Sequence, residues 1–268
     1  MLTDTSVKTD TFTMREHVVR LIVDAHRALA SDDAIRQRQR SRFADAVARA
    51  RNGSPFYREL YAGLPTQIDD PTLLHPTDKP TLMARFDEWV TDAAITFDAV
   101  RELVDDPARI GESFLGRYTV ATTSGTTGKP GVFVMDARSL AVTNAMAVRM
   151  LRNWLSMRDV ARVIRKRGRM SMVMGTGGHF ASAVAASKLL RHRGASRLQV
   201  LSVHEPLSRL VEELNRFDPG VVAPYASVAA MLADEQAAGR LHIDPALLTL
   251  AAEGLPPDEY GRIVRGTR

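Results

Sequence analysis

The sequence predicts an α/β fold, in which a helical N-terminal region precedes a mostly parallel sheet built from βαβ units. Apolar residues recur at helical spacing over the first third of the chain, and short apolar runs alternate with amphipathic segments from Arg117 onward. With 268 residues, 45% of them apolar, the chain can bury a sizeable core. We expect residues 1–14 to form a disordered tail, 15–112 the helical region and 113–268 the α/β core.

Two amphipathic helices are predicted at the start of the helical region. Helical spacing of apolar side chains predicts the first over residues 12–29, and Asp32 or Asp33 can cap the second. The second helix should end at Asn52-Gly53, because glycine readily adopts the left-handed conformation that closes a helix.

Prolines divide residues 63–80 into short turns, and two short helices over 81–90 and 97–104 follow. Strands then alternate with helices, which is typical of parallel sheets that are covered on both faces. The predicted strands are 118–122, 132–135, 170–174, 198–202 and 221–223, and the predicted helices are 137–155, 180–191, 207–217 and 227–238.

Composition excludes several classes of protein. The chain has no cysteine, which rules out disulfides, thiolate nucleophiles and cysteine-ligated zinc. The polar N-terminus and the lack of a long apolar run predict a cytoplasmic chain with no membrane segment. The seven histidines show no metal-ligand spacing, so no metal ligands are assigned.

Basic residues concentrate in two segments, Arg36–Arg51 and Arg158–Arg169, each with six Lys or Arg, within a net charge of +5. Such segments can bind nucleic acid. Only five of the 36 basic residues are lysine, however, and few aromatics accompany them. We therefore interpret both segments as solvated helix faces and loop ends, and nucleic-acid binding is the least favoured alternative.

The strongest functional signal is the segment Thr-Thr-Ser-Gly-Thr-Thr-Gly-Lys-Pro at residues 122–130. Glycines allow close approach of the backbone to an anion, hydroxyls and successive N–H groups donate to it, and the lysine adds a positive charge. The glycine spacing and the proline after the lysine differ from a Walker A loop. The structural alternative is a hairpin turn that happens to be rich in Thr and Gly. The candidate phosphate-binding residues are Ser124, Gly125, Thr126, Thr127, Gly128 and Lys129.

Residues 124–130 resemble the phosphate loop of the adenylate-forming superfamily, which includes acyl- and aryl-CoA ligases, luciferases and peptide-synthetase adenylation domains. Within it, the chain is most similar to the phenylacetate-CoA ligase branch and its capsule-biosynthesis adenylyltransferase relatives. The further segments that resemble this branch are 52–58, 76–79, 83–91, 214–219 and 224–227.

This resemblance implies an AMP-forming ligase that uses ATP with Mg²⁺ to activate a carboxylic acid, with an aryl acid favoured. The product is an acyl-adenylate, from which transfer to CoA can follow. No catalytic residue is assigned, since the family's catalytic lysine has no counterpart here.

Two weaker sites follow from the resemblance. The glycine-rich turn after the third predicted strand implies an acid pocket, whereas the structural alternative is a strand-to-helix turn with His179 capping or exposed. The segment near the C-terminus implies adenine contact, although it departs from the family's Gly-Glu-x-Leu pattern at the preceding glycines. For Tyr225 the structural alternative is a core tyrosine at a helix start with a satisfied hydroxyl. The pocket candidates are Gly177, Gly178, His179 and Tyr225, and the adenine candidates are Ala252, Glu253 and Gly254.

The likeness covers roughly the first three-fifths of such an enzyme, from about residue 41. The family's later motifs are absent, among them the acidic metal ligand. We therefore expect a truncated ligase with impaired activity, which a second polypeptide completes. An exposed sheet edge could instead pair two copies of the chain as a homodimer. The alternative is a non-catalytic remnant that binds a nucleotide or acyl group, or an interaction module.

Overall fold

A computed structural model describes residue 19 and residues 31–123, 130–250 and 253–266. The chain divides into two compact units, Met1–Arg149 and Met150–Arg268. Apart from Val19, the predicted tail and the predicted helix over 12–29 lie outside the described residues. The predicted boundary between residues 112 and 113 stays a prediction.

Four helices of the first unit begin at side-chain caps. Ser31, Ser54, Asp78 and Thr96 each accept a hydrogen bond from a backbone N–H in the first turn, which satisfies one of the amides that a helix start leaves without a partner. The helices are α1 (Asp32–Gly53), α2 (Pro55–Leu60), α3 (Lys79–Ala84), α4 (Phe86–Trp89) and α5 (Phe97–Val104), with 3-10 turns at Pro71–Leu73 and Pro107–Arg109.

Helix α1 ends where predicted, but for a different reason. Gly53 is the last helical residue and has no positive φ. The helix ends because Ser54 is extended, with φ −108° and ψ 120°, and caps α2. Glycine is needed at 53 for space, since a Cβ there would lie 2.9 Å from Cβ of Thr91.

The single helix predicted over 81–90 is two helices. The backbone leaves the helical region at Arg85, with φ −118° and ψ 36°. Its guanidinium donates to Glu59 at 2.6 Å and also pairs with Glu88. These ion pairs hold Arg85 between α3 and α4.

The first unit contains an antiparallel sheet in the order β1-β2-β3. Its residues Phe114, Val120 and Val132 pack in one buried cluster with Val100 and Leu103 of α5. Burying such a side chain stabilises the fold by about 1.5–3 kcal/mol. The strands are β1 (Ser113–Phe114), β2 (Tyr118–Thr122) and β3 (Val132–Met135).

The second unit contains a parallel sheet in the order β5-β4-β6-β7. Its strands are β4 (Met170–Met174), β5 (Leu198–Ser202), β6 (Val221–Pro224) and β7 (Leu247–Leu248). Its helices are α7 (Met157–Arg165), α8 (Ala181–Arg193), α9 (Leu207–Phe217), α10 (Ala226–Ala237) and α11 (Pro257–Gly266), and helix α6 (Ala137–Trp154) contains the division between the units. These elements confirm the mixed α/β class.

Helices α9 and α10 cover one face of the parallel sheet. Val173 of β4 and Val222 of β6 share a buried cluster with Leu214 of α9 and Leu232 of α10. In the strand order β5-β4-β6-β7, the connection from β4 to β5 leads toward one edge of the sheet, whereas the connections from β5 to β6 and from β6 to β7 lead toward the other edge. Because such crossovers are right-handed, α8 lies on the other face.

The sequence predicts that the second basic segment is a solvated surface, but in the structure part of this segment is paired with carboxylates. Lys166 is buried and pairs with Asp218, and Arg169 lies 3.2 Å from the same carboxylate. Arg162 pairs with Asp244. These cations hold parts of the second unit together, which removes them from a free basic surface.

No helix in the described part of the chain is long and apolar enough to cross a membrane.

Candidate functional site

The turn between β2 and β3 carries the predicted phosphate-binding residues. Ser124–Lys129 lie outside the described residues, but the ends of the turn are described. The Thr123 amide donates to the carbonyl oxygen of Gly131 at 2.9 Å, and the Gly131 amide donates to Oγ1 of Thr123 at 2.9 Å. Two hydrogen bonds therefore close the turn at its base, directly beyond the last strand pair, Thr122 and Val132.

The carboxyl edge of the parallel sheet is the second place where the fold favours a site. The chain leaves β4 toward β5 on one side, and it leaves β6 toward β7 on the other. At such a topological switch point the loops diverge and leave a crevice, where ligands of open α/β sheets bind. The loops that follow β4 and β6 carry all four predicted pocket residues.

Tyr225 joins these two loops. It directly follows β6, and its hydroxyl accepts a hydrogen bond from the Gly175 amide, the first residue after β4, at 3.1 Å. A half-buried tyrosine with a bonded hydroxyl has a fixed ring. The structure thus brings Tyr225 to the turn that contains Gly177 and Gly178.

The backbone conformation of this turn requires glycine at position 177. Gly177 has φ +93°, which side chains of L-residues rarely adopt. At Gly178 a Cβ would lie 3.1 Å from the ring of Phe180. Both positions therefore keep the turn free of side chains where the chain enters α8.

His179 is buried, with 2% of its surface exposed. The structural alternative of an exposed His179 is therefore wrong. Phe180, and not His179, occupies the N-cap position of α8, and its side chain makes no cap hydrogen bond. His179 lies in the turn after β4, and its assignment to the acid pocket stays a prediction.

Glu253 is anchored at the start of α10. Its carboxylate accepts a hydrogen bond from the Ser227 amide at 2.9 Å. Hydrogen bonding by the Ser227 side chain, together with this amide bond, lowers the pKa of Glu253 below its usual value. A helix N-terminus carries partial positive charge, which favours an anion there. The bond places Glu253 and the exposed Gly254 beside the residues that follow β6. Ala252 lies outside the described residues.

Two hydroxyls at the same edge were not singled out by the sequence. Oγ1 of Thr176, just after β4, donates to Oγ of Ser202, the last residue of β5, at 3.1 Å. The signal that could have found Ser202 is its position, since a polar residue that ends a predicted parallel strand lies at the ligand-binding edge.

No group of three or more His, Asp or Glu that could hold a metal ion occurs in the described ranges. The protein ligand of Mg²⁺ is accordingly not assigned to these residues.

No protein-family model matches the sequence, and no curated protein matches it. Two solved structures of 2-hydroxyisobutyryl-CoA ligase are similar to it. One, in the postadenylation state with R3-HIB-AMP, is 20% identical with a TM-score of 0.51, and the match covers 90% of this chain and 47% of the ligase. The other, with 2-HIB-AMP and CoA in the thioesterification state, is 18% identical with a TM-score of 0.50, over 89% of this chain and 48% of the ligase.

The chain spans about half the length of these ligases. At this level of identity the likeness establishes the fold and does not identify a branch of enzymes. The described units have the mixed α/β fold of the matching part of an adenylate-forming CoA ligase.

Proposed function

We propose that this chain acts in an AMP-forming ligase of the phenylacetate-CoA ligase type, in which ATP activates a carboxylic acid. The observation that carries the proposal is the phosphate-loop sequence Ser124–Lys129, which stands in the sequence between Thr123 and Gly131, two residues that are joined by two hydrogen bonds. The two residues belong to a fold that an adenylate-forming ligase shares.

The proposed reaction transfers AMP to the acid. A carboxylate oxygen attacks the α-phosphorus of ATP, the bond from that phosphorus to the bridging oxygen breaks, and pyrophosphate leaves with the electron pair. Negative charge grows on the leaving pyrophosphate, so preorganised donors and a cation lower the barrier. We assign this role to Ser124, Thr126, Thr127 and Lys129, with Gly125 and Gly128 allowing close approach of the backbone.

The carboxyl edge of the parallel sheet supplies the proposed acid and adenine contacts. We place the acid against Gly177, Gly178, His179 and Tyr225, because these residues follow β4 and β6 at the switch point. The adenine contacts are Ala252, Glu253 and Gly254. The bond from the Ser227 amide to Glu253 supports this assignment, since it fixes the segment at the same edge.

Mg²⁺ enters the proposal only as the counter-ion of ATP. CoA is the proposed acceptor in a second step, as it is a ligand of the similar ligase. The match covers about half of that ligase. We propose that the other half, carried by a second polypeptide or a further segment, is needed for full turnover, and that this chain alone adenylates weakly.

Calorimetry of ATP binding in the presence of Mg²⁺ tests the proposal. We expect saturable binding that falls by at least about a hundredfold in Thr127→Ala/Lys129→Ala, since each of the two lost hydrogen bonds to charged phosphate contributes about 1.5–3 kcal/mol. The matched control, Thr143→Ala/Lys188→Ala, removes the same side chains from helices α6 and α8 and should bind as the wild type does. Equal loss in both variants, or no binding by the folded wild type, would refute the proposed site.

Exchange of labelled pyrophosphate into ATP then tests the chemistry. A panel of acids that includes phenylacetate and 2-hydroxyisobutyrate separates aryl from short hydroxy acids. Exchange that depends on one class names the substrate. ATP binding without exchange for any acid would favour the non-catalytic, nucleotide-binding alternative.

A further inference from the structure

A cavity of about 870 Å³ opens in the first unit along the N-terminal half of α1, and we call it the α1 cleft. One wall is the face of α1 that carries Arg36, Arg40 and Phe43, which helical spacing places side by side. The other wall is the segment 69–71, which leads into the 3-10 turn at Pro71–Leu73. Cavities that hold small-molecule ligands have volumes of about 300–1,000 Å³, so the α1 cleft has the size of a ligand site.

The floor of the α1 cleft is built from the core of the helical region. Val47 of α1 shares a buried cluster with Tyr61 and Ile68. Phe43 packs against this cluster from one turn earlier in the helix, and it also lines the cleft. Residues 32–42 take no part in the cluster. The cleft therefore lies where α1 and the segment 69–71 extend beyond their shared core.

Two arginines place uncompensated positive charge on the α1 wall. Arg36 and Arg40 are exposed, and neither forms an ion pair with any residue of the described ranges. Like charges one helical turn apart repel each other, and an anion bound between them removes this cost. Phosphate suits such a pair, because its charged oxygens accept hydrogen bonds from the fork of each guanidinium.

The opposite wall is acidic. Oδ1 of Asp70 accepts hydrogen bonds from Oγ1 of Thr72 at 2.7 Å and from the Thr72 amide at 2.9 Å. The hydroxyl bond, the amide bond and then the charge of Arg40 lower the pKa of Asp70 below its usual value. Both bonds use Oδ1, so Oδ2 of Asp70 and the exposed carboxylate of Asp69 keep acceptor positions for a donor. Arg40 and Asp70 thus interact through their charges without an ion pair that would close the cleft.

We propose that the α1 cleft binds a sugar phosphate, such as a nucleoside 5′-monophosphate. The phosphate lies between Arg36 and Arg40, and the sugar hydroxyls donate to Asp69 and Asp70, as ribose hydroxyls do to acidic residues in dinucleotide sites. A base then lies on the ring of Phe43, which offers an apolar face and no hydrogen bonds, so the identity of the base should matter little. This binding does not depend on the proposed function.

The two walls also distinguish this ligand from a simple anion. A sugar phosphate carries negative charge at one end and hydroxyl donors at the other, so it satisfies both walls. Inorganic phosphate satisfies the arginines and meets like charge at Asp69 and Asp70. The alternative explanation is a basic helix face that attracts any anion, and for such a face the two carboxylates only weaken binding.

Calorimetry at fixed ionic strength with four ligands tests the proposal. The ligands are AMP, uridine 5′-monophosphate, ribose 5-phosphate and inorganic phosphate. We expect the two nucleotides to bind with similar affinity, and inorganic phosphate to bind at least about tenfold more weakly because it lacks the sugar hydroxyls. Nucleotides that bind more tightly than ribose 5-phosphate identify a nucleotide as the ligand, whereas equal affinities identify a free sugar phosphate.

Matched variants locate the binding. Arg40→Gln should weaken binding of both nucleotides and of inorganic phosphate about tenfold, whereas Arg49→Gln removes an exposed arginine of α1 outside the cleft and should match the wild type. Asp69→Ala should weaken nucleotide binding about fivefold and leave inorganic phosphate bound at least as well, because it removes a hydroxyl acceptor together with a negative charge. Its control, Asp45→Ala, changes an exposed carboxylate of α1 outside the cleft.

Stronger nucleotide binding by Asp69→Ala, or inorganic phosphate that binds as tightly as AMP, would overturn the proposal in favour of a general anion-attracting face. Equal effects of Arg40→Gln and Arg49→Gln would overturn it as well, and thermal unfolding of each variant reports any loss of fold. A folded wild type that binds none of the sugar phosphates would overturn the proposal, while ATP binding by Thr127→Ala/Lys129→Ala tests the proposed function separately.

Discussion

Asp218 neutralises two cations at the amino-terminal edge of the parallel sheet, and its substitution should destabilise the second unit. The Lys166 side chain is 9% exposed and the Asp218 side chain 44% exposed. Breaking a buried pair costs about 3–5 kcal/mol, and an exposed pair is worth about 0.2–1 kcal/mol. Since one partner is buried and the other half in water, we expect Asp218→Asn to lower the free energy of unfolding by about 2 kcal/mol. Asparagine tolerates the left-handed backbone at 218, where φ is 45°, so the substitution isolates the charge.

The order of two variants makes this prediction sharper. Lys166→Met replaces the buried cation with an apolar side chain of similar length and leaves Asp218 partly hydrated. It should therefore cost less than Asp218→Asn, which leaves a buried ammonium without its partner. The double variant should be no less stable than Asp218→Asn alone. Urea unfolding at pH 7 measures all three, and the reasoning fails if Asp218→Asn stays within about 0.5 kcal/mol of the wild type or if Lys166→Met is the costlier change.

Three further substitutions test contacts elsewhere in the fold. Tyr225→Phe removes the acceptor of a backbone amide and should cost about 1 kcal/mol, with faster hydrogen exchange at that amide; unchanged exchange would contradict the bond. The pKa of Glu253 is lowered in the folded chain, so its carboxylate stabilises the fold above about pH 4.5 and this contribution is lost as the pH falls. Glu253→Gln should accordingly cost about 0.5 kcal/mol at pH 7 and little at pH 3 in urea unfolding, and a difference that grows in acid would contradict this sign. Gly53→Ala would force a Cβ to within 2.9 Å of Thr91 and should cost about 1–3 kcal/mol, whereas Gly63→Ala meets nothing within 4 Å and should stay within about 0.5 kcal/mol in thermal unfolding; equal effects would argue against the close approach.

Local pattern was sufficient for the elements that are bounded by clear breaks in the sequence. Short apolar runs between turn residues predicted β4 and β5 with the bounds that the structure has, and helical spacing did the same for α5 and α9. The two-residue strands β1 and β7 were missed, because such a short segment has no period and is defined only by its partner.

Long-range pairing was the part that the sequence could not supply. Nothing local to Lys166 indicates that it will be buried against Asp218, and nothing near Glu253 points to the Ser227 amide. For the candidate site, the fold places the predicted pocket residues at one sheet edge, while the roles of Ser124–Lys129 stay predictions. The motif is a strong local signal, and its chemistry depends on a bound nucleotide.

The strand order β5-β4-β6-β7 also constrains how the second unit is made during translation. Met170 of β4 pairs with Leu198 of β5 on one side and with Val221 of β6 on the other. Because β4 precedes both strands in the sequence, it is synthesised before either neighbour. Until β6 emerges, the apolar segment Met-Ser-Met-Val-Met keeps one edge of its backbone without a partner. Parallel sheets form slowly because long connections must close first, and open apolar edges recruit other chains. We therefore expect chaperones to bind a ribosome-bound chain that ends before β6. The same chain should aggregate when chaperones are absent.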